Sequence, residues 1–256
     1  MTSAEFDHLF KTKNWDAVEV CRRAGPPIVA SIEPRLADGD FVIRLLAVDC
    51  LVAAGGPRAQ ILLIRALGDA NEQVRNNAVN GLHENVPVGH EDRLFAAWDA
   101  NHTRDSYLRQ QIPMVLGRMP ALARLVELKA RIGSDPRQEV RDGIIAGAAK
   151  LGDAFARQRF ADSLLEARGK RTADLIEFVK YLDDPWVIRP LVPVLGRKEI
   201  ALILSTHISE ARRRECDLAA DEVMRISRMR FTFAMNPMGQ YTDPQLEELT
   251  RYAMTH

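Results

Sequence analysis

Four times in this chain an Asp stands six residues ahead of an Arg, with a β-branched residue immediately before the Arg, and three of the four share one context. Asp38 precedes Arg44 with Ile43 between them, Asp69 precedes Arg75 with Val74, and Asp135 precedes Arg141 with Val140. A weaker copy at Leu108-Arg109 lacks the Asp. Arg positions 44, 75, 109 and 141 recur at a period typical of stacked helix pairs, in which no unit buries its apolar face alone and each must lie against the next. Between the turns helical periodicity is nearly continuous, and Gly25-Pro26-Pro27, Gly55-Gly56-Pro57, Pro87, Pro120, Ser134-Asp135-Pro136, Gly152-Asp153, Gly169, Asp184-Pro185 and Gly196 each close one helix or open the next. The expected fold is all-α.

The spacing has a structural meaning. An Asp in the turn can accept hydrogen bonds from orphan N–H groups at a helix start, and an Arg in the first helical turn can reach the turn carboxylate of its own or a neighbouring unit. Asp38, Arg44, Asp69, Arg75, Arg109, Asp135 and Arg141 are therefore expected to form a ladder that ties successive turns together, rather than a catalytic set. Asp183 also sits six before Arg189, but its context matches a first helix, so that spacing is taken as coincidence.

GDANEQVRNNAVNGL, SDPRQEVRDGIIAGAAKLGD and DPWVIRPLVPVLG resemble the HEAT-like repeats of the phycobilisome-lyase type, with their Asp-Pro turn, Val-Arg step and Ala-rich second helix. The resemblance implies a HEAT-like α-solenoid, a right-handed superhelix of helix pairs, over residues 36–209. Residues 1–35 then form an N-terminal helical cap and 210–256 a C-terminal cap, as solenoids need at their ends. It specifies no task, because this scaffold serves unrelated functions.

In the tail, EARRRECDLAADEVMRISRM (210–229) reads as one long amphipathic helix whose Arg212, Arg213 and Arg214 lie on a solvated face. RFTFAM (230–235) then alternates like a short strand, which needs a partner strand within the chain, in a second copy or in another protein. A last short helix begins at Asp243-Pro244.

In helix-pair arrays the second helices line the concave face. With Val74, Ala78 and Leu82 inward, Asn76, Asn77, Asn80 and His83 point outward, and the equivalent places in the next units are Gln110, Gln111 and Met114, then Asp142 and Ala146. Amides both donate and accept, so this row suits the backbone of an extended peptide; an ordinary solvated face is the plain alternative. Residues 69–99 hold six acids against two bases and residues 100–131 the reverse, an acidic sector beside a basic one within a chain of 35 basic and 35 acidic residues. That balance favours a charged protein partner over a nucleic acid, which selects one continuous basic stripe.

No phosphate-binding loop, dinucleotide turn, nucleophile elbow or zinc-helix spacing is present. Cys21, Cys50 and Cys216 read as reduced and buried, and neither a metal nor a cofactor is expected. The sequence predicts a cytoplasmic, bacterial-type scaffold or adaptor that binds a protein or peptide without catalysis, with self-association through 230–235 as a further route and no membrane partner. Two other readings stay open. Alkylpurine DNA glycosylases built from HEAT-like pairs use a groove carboxylate with Trp and Arg, residue types that Trp98, Asp99, Arg109, Asp142 and Trp186 supply, although both Trp residues also suit the core. A bilin-lyase-like chaperone shares the scaffold, with His83 and His207 as groove candidates.

Overall fold

The computed structural model describes residues 3–101, 106–120, 125–205 and 210–255, so His207 and positions 121–124 of an expected first helix lie outside the described residues. The chain divides into two compact units, Met1–Gly152 and Asp153–His256. It is mostly helical, with one small two-stranded sheet.

The first unit runs α1 (Ser3–Lys11), α2 (Asp16–Ala24), α3 (Val29–Ile32), α4 (Phe41–Ala54), α5 (Pro57–Ala66), α6 (Glu72–Glu84), α7 (Glu91–Ala100), α8 (Ser106–Gly117), α9 (Leu125–Ala130) and α10 (Gln138–Lys150). Local chemistry sets the boundaries. Asp40 caps α4 by accepting from Val42 N at 2.9 Å, and Asn71 caps α6 by accepting from Gln73 N at 2.9 Å. Gly55 and Gly56, at φ of 66° and 88°, make the turn out of α4 that other residues resist, and Pro57 opens α5. Helices α2, α4, α6, α8 and α10 each pack on the next, while α5 lies against α4, α6 and α7, α7 against α8, and α9 against α10.

Apolar burial holds this row together. Leu46, Leu51, Leu63, Leu67, Leu82, Leu94 and Leu108 are fully buried, and each contributes about 1.5–3 kcal/mol relative to exposure. Between α8 and α10 the backbones come close enough that glycine is required: a Cβ on Gly143 would lie 2.3 Å from the Gln110 carbonyl oxygen, and one on Gly147 would lie 2.2 Å from that of Pro113.

The ionic repeat sets register on this apolar row. Each repeat Asp accepts from the N–H two residues on, Asp38 from Asp40, Asp69 from Asn71 and Asp135 from Arg137, at 2.8–3.0 Å. The cap proper is thus the residue at Asp+2, and the Asp shapes the turn ahead of it. Each Arg is the fourth residue of its helix and donates Nη1 to carbonyl oxygens of its own turn: Arg44 to Asp38 at 2.8 Å, Arg75 to Asp69 at 2.9 Å, and Arg141 to Asp135 at 2.8 Å. Arg44 and Arg109 also reach forward. Arg44 grips both oxygens of Asp69, one unit on, at 2.8 and 2.9 Å, and Arg109 lies 2.5 Å from Asp135.

The second unit runs α11 (Ala154–Glu166), α12 (Lys170–Leu182), α13 (Ile188–Leu195), β1 (Ile200–Ser205), β2 (Glu210–Arg214), α14 (Glu215–Ser227) and α15 (Asp243–Thr255). Asp183 pairs with Arg225, in keeping with the Asp183-Arg189 spacing being incidental.

Three expectations for the tail are corrected. Residues 210–229 are not one helix, because 210–214 pair antiparallel with β1 before α14 begins. Residues 230–235 are not a strand: Phe231 packs edge-on to Tyr252 at 5.5 Å and Phe233 to Tyr241 at 5.7 Å, so the alternation records two rings turned onto nearby tyrosines. Strand-edge association through 230–235 loses its basis. Arg213 is not solvated but 1% exposed, meeting Asp221 at 2.6 Å and the carbonyls of Asn236 and Pro237, while Arg214 grips Asp217 at 2.7 and 2.9 Å and the Tyr241 carbonyl at 2.6 Å.

Two substitutions test the first unit. Asp69→Ala strands the Arg44 fork and is expected to cost about 2–4 kcal/mol, near the range for breaking a buried pair; urea denaturation measures it, and an Arg44/Asp69 double-mutant cycle isolates the coupling. Gly147→Ala forces α8 and α10 apart and is expected to cost about 1–3 kcal/mol by overpacking despite the better helix propensity of Ala, read from the same denaturation curves.

Candidate binding cleft

Across α4, α6 and α8, polar side chains meet in pairs rather than standing free. Asn77 Nδ2 donates to Asp49 Oδ1 of α4 at 2.9 Å, and the hydroxyl of Tyr107 on α8 donates to Asn80 Oδ1 at 2.7 Å. His83 Nε2 lies 2.9 Å from Gln111 Oε1, and Gln111 Nε2 donates to Gln110 Oε1 at 3.3 Å. The outward face of α6 thus divides, Asn77 toward α4 and Asn80 and His83 toward α8. Asn80 is exposed, whereas Asn76, Asn77, His83, Gln110 and Gln111 are half-buried. Asn76 Oδ1 is buried and has no hydrogen-bond partner among the described residues.

Met114 and Asp142 are corrected out of the contact surface. They are 8% and 2% exposed, because the glycine-mediated approach of α10 to α8 covers this end of the row, and Asp142 accepts from Gln138 Nε2 at 2.9 Å.

Where α2, α4 and α6 run side by side, they line an open cleft of about 580 Å³. Its lining comes from Val18 and Arg22 of α2, Asp49, Val52 and Ala53 of α4, and Asn77, Asn80, Gly81 and Glu84 of α6, with Asn85 beyond its end. Gly81 lets α6 lie close to α4: a Cβ there would stand 2.2 Å from Val52 Cγ2. Asn85 Nδ2 donates to the Val52 carbonyl at 3.1 Å and joins the two helix ends. Trp15, 44% exposed, donates its indole N–H to Asp49 Oδ2 at 3.1 Å. Asp49, Glu84, Trp15 and Tyr107 escape the sequence reading. One signal for Asp49 was available: it lies five residues after Arg44, as Asn80 lies five after Arg75, so the repeat register carried one unit back places a carboxylate where the amide stands.

The residue types suggestive of a glycosylase are each held in separate contacts. Trp98 is 2% exposed with the Arg131 guanidinium 4.7 Å from its ring, Arg131 also pairs with Asp99, and Arg109 pairs with Asp135. Trp186 is only half-buried, between Phe160 and the Arg157 guanidinium. All three cysteines are free and buried, and the neighbouring Cys21 thiol and burial push the Cys50 thiol up. Among the described residues no group of three or more His, Cys, Asp or Glu is placed to hold a metal ion, and no helix is long and apolar enough to cross a membrane.

Compared with protein-family models and with curated proteins, the chain matches none.

His83 yields a pH prediction. Burial, then the nearby Arg118 charge, outweigh the Gln111 hydrogen bond and hold its pKa down at about 4. An unfolded histidine titrates near about 6.5, so the unfolded chain takes up a proton first as pH falls. The contribution of neutral His83 is fully present above about pH 6.5 and is lost progressively toward pH 4, at up to about 1.4 kcal/mol per pH unit. Urea denaturation between pH 7 and pH 4 is expected to give a flatter profile for His83→Gln than for the parent; identical slopes reject the assignment.

Proposed function

We propose that this chain is a non-catalytic protein- or peptide-binding scaffold of the HEAT-like α-solenoid kind, acting through the concave face of its second helices. The observation that carries the reading is the cleft over α2, α4 and α6, in which Asn77 and Asn80 stand with aromatic side chains tethered at its margin. Successive packing of α2, α4, α6, α8 and α10, with the other helices against them, supports a stack of pairs, and the forward-reaching Arg44 and Arg109 supply the inter-unit contacts such a stack needs.

The chemistry suits an extended segment. A carboxamide offers two donors and two acceptor positions, and the bonds from Asn77 to Asp49 and from Tyr107 to Asn80 leave further positions on each amide for a ligand backbone. Those same bonds hold the side chains in place before a partner arrives, which lowers the entropy lost on binding. Gln110, Gln111 and His83 extend the polar row toward α8.

Replacing Asn77 and Asn80 together by Ala removes two interhelix hydrogen bonds, at about 1 kcal/mol of stability each, and is expected to weaken partner binding about tenfold or more. Co-purification from host extract, followed by titration of the recovered partner against parent and variant, measures this. Undiminished binding by the folded variant rejects this face.

A further inference from the structure

We infer that the cleft over α2, α4 and α6 receives a cationic side chain, the Lys or Arg of a peptide segment, with Asp49 and Glu84 as counter-charges and Trp15 and Tyr107 as aromatic flanks. The inference rests on the peptide-binding reading above and specifies its ligand.

Charge is the first argument. The cleft presents two carboxylates, Asp49 and Glu84, against one cation, Arg22. Arg22 is already engaged by Glu19 on its own helix. Glu84 is exposed and has no ion-pair partner among the described residues. The cleft also lies at the C-terminal ends of α4 and α6, which finish at Ala54 and Glu84, where the helix dipoles place partial negative charge. An anionic ligand meets repulsion from each of these sources, and a cation is drawn in.

The aromatic residues make the second argument. Two exposed rings, Trp15 at 44% and Tyr107 at 38% exposure, are each fixed by a hydrogen bond to a cleft-lining side chain. Trp15 uses its indole N–H on Asp49, which holds this partly exposed ring beside the carboxylate. A carboxylate beside an exposed aromatic ring is an arrangement that a guanidinium or ammonium can satisfy by ion pairing and by cation–π attraction. Asp49 retains capacity for this: its oxygens accept from Asn77 and Trp15, two of about four lone-pair positions. Asn77 and Asn80 can then hold the ligand backbone on either side of the charged group.

Selection of a random dodecapeptide library on the full chain tests the inference. Recovered peptides are expected to be enriched in Arg and Lys, and a synthetic representative, titrated by calorimetry and tryptophan fluorescence, is expected to bind about fivefold or more weakly to Glu84→Gln, to Asp49→Asn and to Trp15→Ala, with affinity falling as salt rises. Glu84 is exposed, so that variant is read without concern for the fold. Basic peptides that bind all three variants as well as the parent overturn the site. Peptides that are acidic or uncharged, yet lost with Asn77→Ala and Asn80→Ala, overturn the cation specificity and leave the peptide-binding reading standing. Recovery of no peptide overturns both.

Discussion

A guanidinium carries five N–H donors in a planar fork, and in the first unit Arg44 divides that fork between two turns. Arg44 places Nη1 on the carbonyls of residues 38 and 39 and turns Nε and Nη2 onto Asp69 in the following unit. Its position four residues into α4 sets a cation near the positive end of a helix, which is unfavourable by itself. The turn carbonyls and the forward carboxylate compensate. On Asp69 burial works to raise the pKa, but the Arg44 hydrogen bonds, the Asn71 amide and the nearby Arg charges prevail and hold it below the ordinary carboxylate range. Asp135 is balanced the same way by Arg137 and Arg109. Apolar burial supplies most of the stability of the row; the forks decide which residue of one helix faces which residue of the next.

That register makes the cleft possible. Asp49 meets Asn77 only because α4 and α6 are aligned with their C-terminal halves together, and Gly81 opposite Val52 sets how close they come. A shift of one turn between the two helices would separate the carboxylate from the amide and part Asn85 from the Val52 carbonyl. The ladder and the cleft are thus two consequences of one alignment, with the ladder at the helix starts and the cleft at their other ends.

What was legible in the sequence follows from range. The Asp-to-Arg step is local, a turn and the first turn of a helix, and its periodic recurrence implies the forward partner; the all-α class and the buried positions Val74, Ala78 and Leu82 follow from the same local periodicity. The tail was illegible because its determinants are distant. Three consecutive arginines read as solvent-facing on any local rule, yet Arg213 finds acceptors on residues 236 and 237 and Arg214 on Tyr241, more than twenty positions away. Residues 210–214 carry helical periodicity but have IALILS as an available strand partner, and pairing decides the outcome. Met114 and Asp142 failed for a related reason: Gly143 and Gly147 bring α10 onto α8 at backbone distance, and an outward-facing position on an isolated helix becomes an inward one.

The buried charges near the C-terminus and the amides of α6 use their bonding capacity differently. In the second unit Arg213, Glu215 and Asp217 are almost wholly withdrawn from water and tied to the Asn236–Tyr241 segment and to Gly169, so that their bonding capacity goes to fixing the chain's last turns. Such a network rigidifies and leaves little for a ligand. In the first unit the amides of α6 keep one side in contact with a neighbouring helix and the other toward the cleft, and only part of their capacity is used. A polar group held on one side and open on the other is already oriented and still able to bind, which suits Asn77 and Asn80 to recognition better than the larger charged cluster near the C-terminus.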